Sequence, residues 1–523
     1  MKRWTASILA VLLAASLGFA QTLIYGQSDL PKTLDSVDAQ DGNSLRVAYQ
    51  ITESLVAFEP GTANIVPGLA VSWEANEDST IWTFKLRRGV KFHDGTPFNA
   101  EAVKFNFDRW NDPNHPYRGE GKSFVPFTWV FGGFKGEGSI LDRVEVVDEY
   151  TVRFHLTDSV GFFPQMLGAI YMQIDSPTAV MKNPDKYGTP EVGSVGTGPF
   201  KFKSWTIGDK VVLERNDEYW GEKAKVDTLV FRGIPEPASR LAELKAGAIH
   251  IANNLSPEDL RVIESDPNLK AVKQNGLNIG YLAIHQTHAP LDNLLVRKAI
   301  AMAVDWDAIV DAFYAGLGER ATQFVPPAMW GRAEGIPPYP YDPETAKKLL
   351  AEAGYPNGFK TELWFMPVSR PYFPAPQPIA ETIASYLAEV GIQVELKTED
   401  WGTYLSDYNQ GKFPLYMLGW SPDYPDPDNY LFTFFGPETI KSASGCTTEV
   451  CERIGELLFK ARTEPDPEVR QELYAEVQRL VYENVIRIPV AHNNPLHATL
   501  KNVEGWVPSP LGSSENLNLV EVK

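Results

Sequence analysis

The chain has 523 residues, 43% of them hydrophobic, which is too much sequence for one core and predicts two or three domains. Asp and Glu number 67 against 48 Lys and Arg, a formal net charge of −19. A surface of that sign repels nucleic acid and anionic lipid, so nucleic-acid binding is excluded as a function class.

The first twenty residues carry Lys2 and Arg3, an apolar run at 8–17 and then Gly18-Phe19-Ala20. That is the pattern of a secretory signal peptide cleaved after Ala20. The apolar run is shorter than the ~20 residues a spanning helix needs. Residue 21 is Gln, so no lipid-anchor cysteine follows the cleavage point. The mature chain is expected to be exported and soluble. Its two cysteines, Cys446 and Cys451, read as one local disulfide in an oxidising compartment. No nearby histidine completes a metal shell around them.

In chain order, residues 22–27 alternate as a strand, 38–44 form a polar turn with Gly42, and 45–56 have helical spacing. Residues 81–86 alternate as a strand, Arg88-Gly89 turns it, and 90–93 resumes. Asn99 is placed as the N-cap of an amphipathic helix. His93-Asp94 pairs an imidazole with a carboxylate, but with Gly95 it reads as a turn between strand and helix. A hairpin is predicted at 144–156 around Asp148-Glu149. The glycine-rich stretch 193–200 is followed by neither GK[ST] nor GxGxxG. At 119–123 (GEGKS), Pro116 stands where a phosphate loop needs glycine, so both stretches read as loops. Strands follow at 200–205, 211–215 and 227–232, then a helix at 238–246.

Beyond Gly276 the pattern gives a strand at 281–284 and helices at 294–304 and 342–353. The second of these has Asp342 as N-cap and Pro343 in its first turn. A helix at 468–484 and a strand at 487–492 precede a tail, 495–523, that alternates and is expected to return to an earlier sheet.

The stretch 364–430 carries the chemistry. Strand, helix (379–390), strand (392–396), helix (401–410) and strand (414–420) make a wound α/β unit with parallel strands. Ligands of such sheets bind outside the carboxyl ends of the strands. Arg370 follows the first strand and Asp423 the last, so both are expected on one rim. A guanidinium meets a carboxylate with two parallel hydrogen bonds, and an ionised aspartate, which only accepts, suits an ammonium. The two charges match the poles of a short zwitterion, ~7 Å apart in an extended dipeptide.

Several segments together resemble the extracytoplasmic solute-binding proteins of ABC importers, family 5 (peptide/nickel type). They are WTFKLRRGVKFHDGTPFNAEAVKFNFDR (82–109), GTGPFKF (196–202), Tyr219-Trp220-Gly221, GLNIGYLAIHQ (276–286), VRKAIAMAVD (296–305), Asp400-Trp401-Gly402 and DPDNY (426–430). MPVSRPYFP (366–374) and LGWSPDYPDPDNY (418–430) are similar to the ligand-binding segments of the dipeptide-binding members. The resemblance implies an α/β, periplasmic-binding-protein-like two-lobed fold, type II in its large cluster C form, with three domains and a cleft between lobes. Domain I would comprise 21–55, 195–275 and 495–523, domain II the inserted 56–194, and domain III 276–494. It further implies that Arg370 holds a peptide C-terminal carboxylate and Asp423 the N-terminal ammonium. Trp420 and Tyr372 would line the pocket, and Asp41-Gly42 would border the cleft. The implied protein is a periplasmic monomer that captures dipeptides or short peptides, uses no cofactor or metal, and delivers its cargo to the membrane subunits of an ABC permease.

One departure stands out: Pro422 and Tyr424-Pro425 replace glycines around Asp423, which predicts a stiffer, bulkier loop. The alternative cargoes are a longer peptide, glutathione, a nickel chelate, haem or an oligosaccharide. A sugar site predicts aromatic platforms without a matched ion pair. A secreted hydrolase is disfavoured because the chain has no GxSxG, no HExxH and no cysteine nucleophile with a partner histidine.

Overall fold

The protein was analysed as a computed structural model that describes residues 21–523; the signal peptide expected at 1–20 lies outside them. Of five sheets, the three with four or more strands organise these residues: the six- and four-stranded sheets each have one apolar core and the seven-stranded sheet has one on each face.

The first sheet has seven strands and is built around Thr22–Gln27. That strand pairs in parallel with Thr228–Gly233 on one side and Ile251–Leu255 on the other. The tail strand Leu496–Leu500 lies between Ile251–Leu255 and Leu269–Lys273, antiparallel to both. The alternating tail therefore does return to the sheet of the N-terminus. The second sheet is antiparallel, in the order Ala70–Ala75, Ile81–Leu86, Thr151–Leu156, Leu141–Asp148. The helix Ala100–Asn111, capped by Asn99 at the Ala102 N–H, lays Phe107 against Phe154 of that sheet at 4.8 Å.

The third sheet runs Gly318–Arg320, Arg487–Asn493, Ile279–Ile284, Leu415–Trp420, Lys360–Trp364, Gln393–Lys397. Lys360–Trp364 is parallel to both Gln393–Lys397 and Leu415–Trp420, with helices Pro376–Glu389 and Trp401–Asn409 as the crossovers. This is the wound arrangement expected from the sequence. Its apolar strands, such as the fully buried Ile279–Ile284, have core on both faces.

The chain passes between the first and third sheets twice, at 274–278 and 494–495, and the two passages lie side by side. The Gln274 N–H donates to the Pro495 carbonyl at 3.1 Å, and the Asn278 side chain donates to the Asn493 carbonyl at 2.7 Å. A β-carbon on Gly276 would meet the Asn493 carbonyl oxygen at 2.2 Å, so only glycine lets the strands approach this closely. Paired short connections of this kind are where two lobes hinge.

Local expectations failed in two places. The helix predicted at 45–56 instead runs Gly42–Ala48. It starts early because the Asp41 carboxylate accepts from the Asn43 and Ser44 N–H groups. It ends early because the carbonyls of Gln50 and Ile51 are taken by the N–H groups of Phe200 and Gly198. The strand expected to resume at 90–93 is a tight loop closed by the Phe92 N–H to Thr96 carbonyl and Gly95 N–H to Phe92 carbonyl bonds. His93 donates from Nε2 to the Gly198 carbonyl at 2.9 Å, and burial pushes its pKa down to about 4.

Candidate functional site

Arg370 sits in the loop between Lys360–Trp364 and Pro376–Glu389. Reciprocal bonds between the backbones of Arg370 and Phe373, at 3.1 and 3.0 Å, fold Arg370-Pro371-Tyr372-Phe373 into a tight turn. The guanidinium lies over the Trp401 indole, 4.6 Å from the ring centroid. Among the described residues it has no ion-pair partner, and its Nε is buried without a hydrogen bond.

Tyr372 joins this turn to the end of the neighbouring strand. Its ring packs on Gly419, where a β-carbon would lie 2.2 Å from the Tyr372 ring and 2.4 Å from the Ile279 carbonyl oxygen. The turn is tied down further by the Tyr314 hydroxyl, which donates to the Tyr372 carbonyl at 2.9 Å. Burial pushes the Tyr372 pKa up to about 12, with the charge of Arg370 opposing.

Asp423 stands three residues beyond Trp420, at the end of Leu415–Trp420. Asn429, in the first turn of Asp428–Phe435, organises this corner. Its carbonyl oxygen accepts from the Trp420 indole N–H at 3.0 Å and from the Asp423 backbone N–H at 2.8 Å, while its amide nitrogen donates to the Asp423 carboxylate at 3.4 Å. The carboxylate is 7% exposed and meets no cation among the described residues. Burial pushes its pKa up to about 7, against the hydrogen bonding of Tyr171 and Asn429.

The other wall comes from far earlier in the chain. Trp129, on the helix Val125–Phe131, stands edge-on to Trp420 with centroids 6.1 Å apart and to Tyr171 at 5.6 Å. Tyr171 in turn hydrogen-bonds the Asp423 carboxylate, so this aromatic wall and the Asn429 corner meet at Asp423.

The bulky loop residues after Asp423 point elsewhere. Tyr424 is buried against Phe162, its ring nearly parallel at 6.2 Å, and its hydroxyl donates to Asp428 at 2.8 Å. Arg470 lies over the opposite Phe162 at 4.4 Å and forks onto Asp426 at 2.7 and 3.1 Å. Arg462 donates to Asp428 at 3.1 Å and to the Val130 carbonyl at 3.4 Å. The departure read as a stiffer loop therefore fastens the third sheet's lobe to the segment carrying Phe162 and Val130.

Asp41 spends its carboxylate on capping, accepting from the Ser44 hydroxyl at 2.6 Å as well as from two backbone N–H groups. Gly42 abuts Ser513, and the adjacent Gly512 abuts Ser421, so a tail loop connects that early turn to the Asp423 corner. Cys446, in the loop after the helix Pro437–Ser444, and Cys451, in the first turn of Glu449–Thr463, form a disulfide. Lys122, in the near-miss phosphate loop, is committed to Asp35 and to the Tyr187 carbonyl at 2.8 and 2.7 Å.

A family model for bacterial extracellular solute-binding proteins, family 5, matches residues 64–442. The chain belongs to that family. Within family 5, it is 34% identical to the dipeptide-binding protein of Escherichia coli, over 98% of this chain and 97% of the relative. It is 36% identical to the heme-binding protein A of Haemophilus influenzae, over 94% of this chain and 90% of the relative. Among solved structures, a dipeptide-binding protein from Pseudoalteromonas in complex with Met-Leu superposes with a TM-score of 0.87 at 29% identity, covering 96% of this chain and all of that one. The Helicobacter pylori periplasmic binding protein DppA in complex with the peptide STSA gives 0.85 at 30% identity, covering 96% and 98%. The family fold is two-lobed, as the sequence implied, and the family is extracytoplasmic. No helix among the described residues is long and apolar enough to cross a membrane.

Sequence reasoning singled out Arg370, Asp423, Trp420 and Tyr372, and the structure adds Trp129, Tyr171 and Asn429 as their neighbours. Asn429 lay in the quoted DPDNY motif, and nothing marked its amide as the piece joining Trp420 to Asp423. No local signal links Trp129 or Tyr171 to a residue some 250 to 300 positions later.

Proposed function

We propose that the protein captures dipeptides or short peptides between its lobes, Arg370 taking the C-terminal carboxylate and Asp423 the N-terminal ammonium. The observation that carries this reading is a pair of opposite charges left without ionic partners among the described residues, at the ends of adjacent parallel strands. Neighbouring strands lie about 4.8 Å apart, so the two loops can span one short ligand. A buried, unpaired charge is costly, so a ligand supplying both counter-charges is selected over one supplying neither. The relatives in complex with Met-Leu and STSA support the same cargo class. Haem and metal chelates offer no ammonium for Asp423.

Trp420 and Tyr372 would line this pocket, and Asp41-Gly42 would border it through the 512–513 loop. The proposed three-domain division (21–55 with 195–275 and 495–523; 56–194; 276–494) is supported by the membership of the three larger sheets and by the paired crossings at 274–278 and 494–495. Closure of the lobes would present the surface read by the membrane subunits of an ABC permease, after export and cleavage behind Ala20. The protein would release its peptide uncut.

The test is a thermal melt with and without a dipeptide. Binding should raise Tm, and Arg370→Ala should abolish the rise; an undiminished rise sinks the assignment. Native mass spectrometry of freshly purified protein should show retained peptide, and incubation with dipeptide should liberate no free amino acids.

A further inference from the structure

Trp401 belongs to the Asp400-Trp401-Gly402 motif and has no part in the reading above. Its indole is the surface on which the Arg370 guanidinium rests, at 4.6 Å. The indole is itself held in place. It stacks on Tyr404 with centroids 5.7 Å apart and planes 18° from parallel. The Tyr404 hydroxyl shares its one proton between the carbonyls of Met417 and Trp364, at 2.8 and 3.1 Å, one on each of the two strands that lead to Asp423 and Arg370. Asp400 fixes the start of the helix by accepting from the Gly402 N–H at 3.0 Å.

Stacking covers one face of a guanidinium and leaves its donors, which lie in the plane, free to bond. An arginine parked on an aromatic face gives up its rotamer freedom before the ligand arrives, so less is lost on binding. The orphaned, buried Nε shows one donor edge of Arg370 already desolvated and waiting.

We propose that Trp401 is a positioning residue for Arg370, setting the plane of the fork so that it meets a peptide carboxylate with two hydrogen bonds. This rests on the reading of Arg370 as the carboxylate site. Preference for a free C-terminus over an amide is then a property of the Trp401–Arg370 pair.

Calorimetric titration of Ala-Ala and of its C-terminal amide decides it, using wild type, Trp401→Phe, Trp401→Leu, Arg370→Ala and the double variant Arg370→Ala/Trp401→Leu. Trp401→Leu should weaken Ala-Ala binding on the order of tenfold and the amide far less, collapsing the acid-to-amide ratio. Trp401→Phe should keep most of the ratio, and Trp401→Leu should cost nothing further once Arg370 is gone. If the leucine variant lowers both ligands equally, or costs as much without Arg370, Trp401 is only structural and the inference is overturned. Should the leucine variant fail to fold, the ratio across Trp, Tyr and Phe at position 401 carries the test, and no gradation overturns it. An unchanged ratio in Arg370→Ala brings down the carboxylate reading itself, which distinguishes that failure from one of Trp401 alone.

Discussion

Trp129 and Trp420 stand edge to face, their ring centroids 6.1 Å apart, although the first belongs to a helix beside the second sheet and the second ends a strand of the third. An aromatic pair of this geometry contributes about 0.5–1.5 kcal/mol beyond the area it buries. Because it spans the lobes, that energy belongs to the closed form. Trp129→Ala should therefore raise Kd for a dipeptide by about three- to tenfold, mostly through a faster off-rate, since the variant leaves Arg370 and Asp423 in place. Stopped-flow displacement measures it; an unchanged off-rate would mean that the contact does nothing for closure.

The close seat of Tyr372 on Gly419 gives a second prediction. A methyl group at 419 would collide with the ring and with the Ile279 carbonyl on the paired strand, so the strand or the turn must move. Gly419→Ala should cost roughly 1–3 kcal/mol of stability, as overpacking does. It should also weaken dipeptide binding, because the turn carrying Arg370 rides on Tyr372. Chemical denaturation and calorimetry report the two effects separately, and a stable variant with native affinity would contradict the packing.

Much of this was legible in the sequence where one face or one short motif decides the structure. The strands at 22–27 and 81–86 came out with the predicted bounds because their alternation matches a half-buried sheet. The placement of Arg370 and Asp423 behind neighbouring parallel strands was legible because each follows a strand of a recognisable wound unit. The helix at 45–56 was misread because its carbonyls bond to a loop 150 residues later, and the glycines of that loop serve close backbone approach. A β-carbon on Gly196 would lie 2.3 Å from the Ile51 carbonyl oxygen. Tyr424 was read as a departure, but its direction depends on Phe162, which no local pattern connects to it.

Arg470 is the cation of a buried fork onto Asp426, and it also covers Phe162. Removing one member of a buried pair leaves the other uncompensated, typically at about 3–5 kcal/mol. Arg470→Met should lower stability by that order, and adding Asp426→Asn should recover most of it. Urea unfolding of wild type and the two variants checks this. If the single variant melts like wild type, the pair does not anchor the loop behind Asp423.

The last prediction concerns pH. Burial pushes the Asp423 carboxyl up to about 7, so below that pH the empty site holds a proton. An ammonium requires the carboxylate, so ligand binding must expel this proton. Affinity should fall as pH drops below about 7, approaching tenfold per unit. Above about 8 the α-amine of the peptide loses its own proton, so affinity should peak between the two values. Stability of the empty protein runs the other way. A carboxyl whose folded pKa lies above its unfolded value contributes stability that is fully present below about pH 4 and is lost as pH rises through about 7. Asp423→Asn should remove the acid limb of both profiles and leave the empty protein more stable than wild type at pH 8. Calorimetry in two buffers of different ionisation enthalpy counts the proton directly: about one released per dipeptide bound at pH 5.5 to 6, and none in Asp423→Asn. Affinity that stays flat from pH 5.5 to 7 would show that Asp423 is not the ammonium's partner.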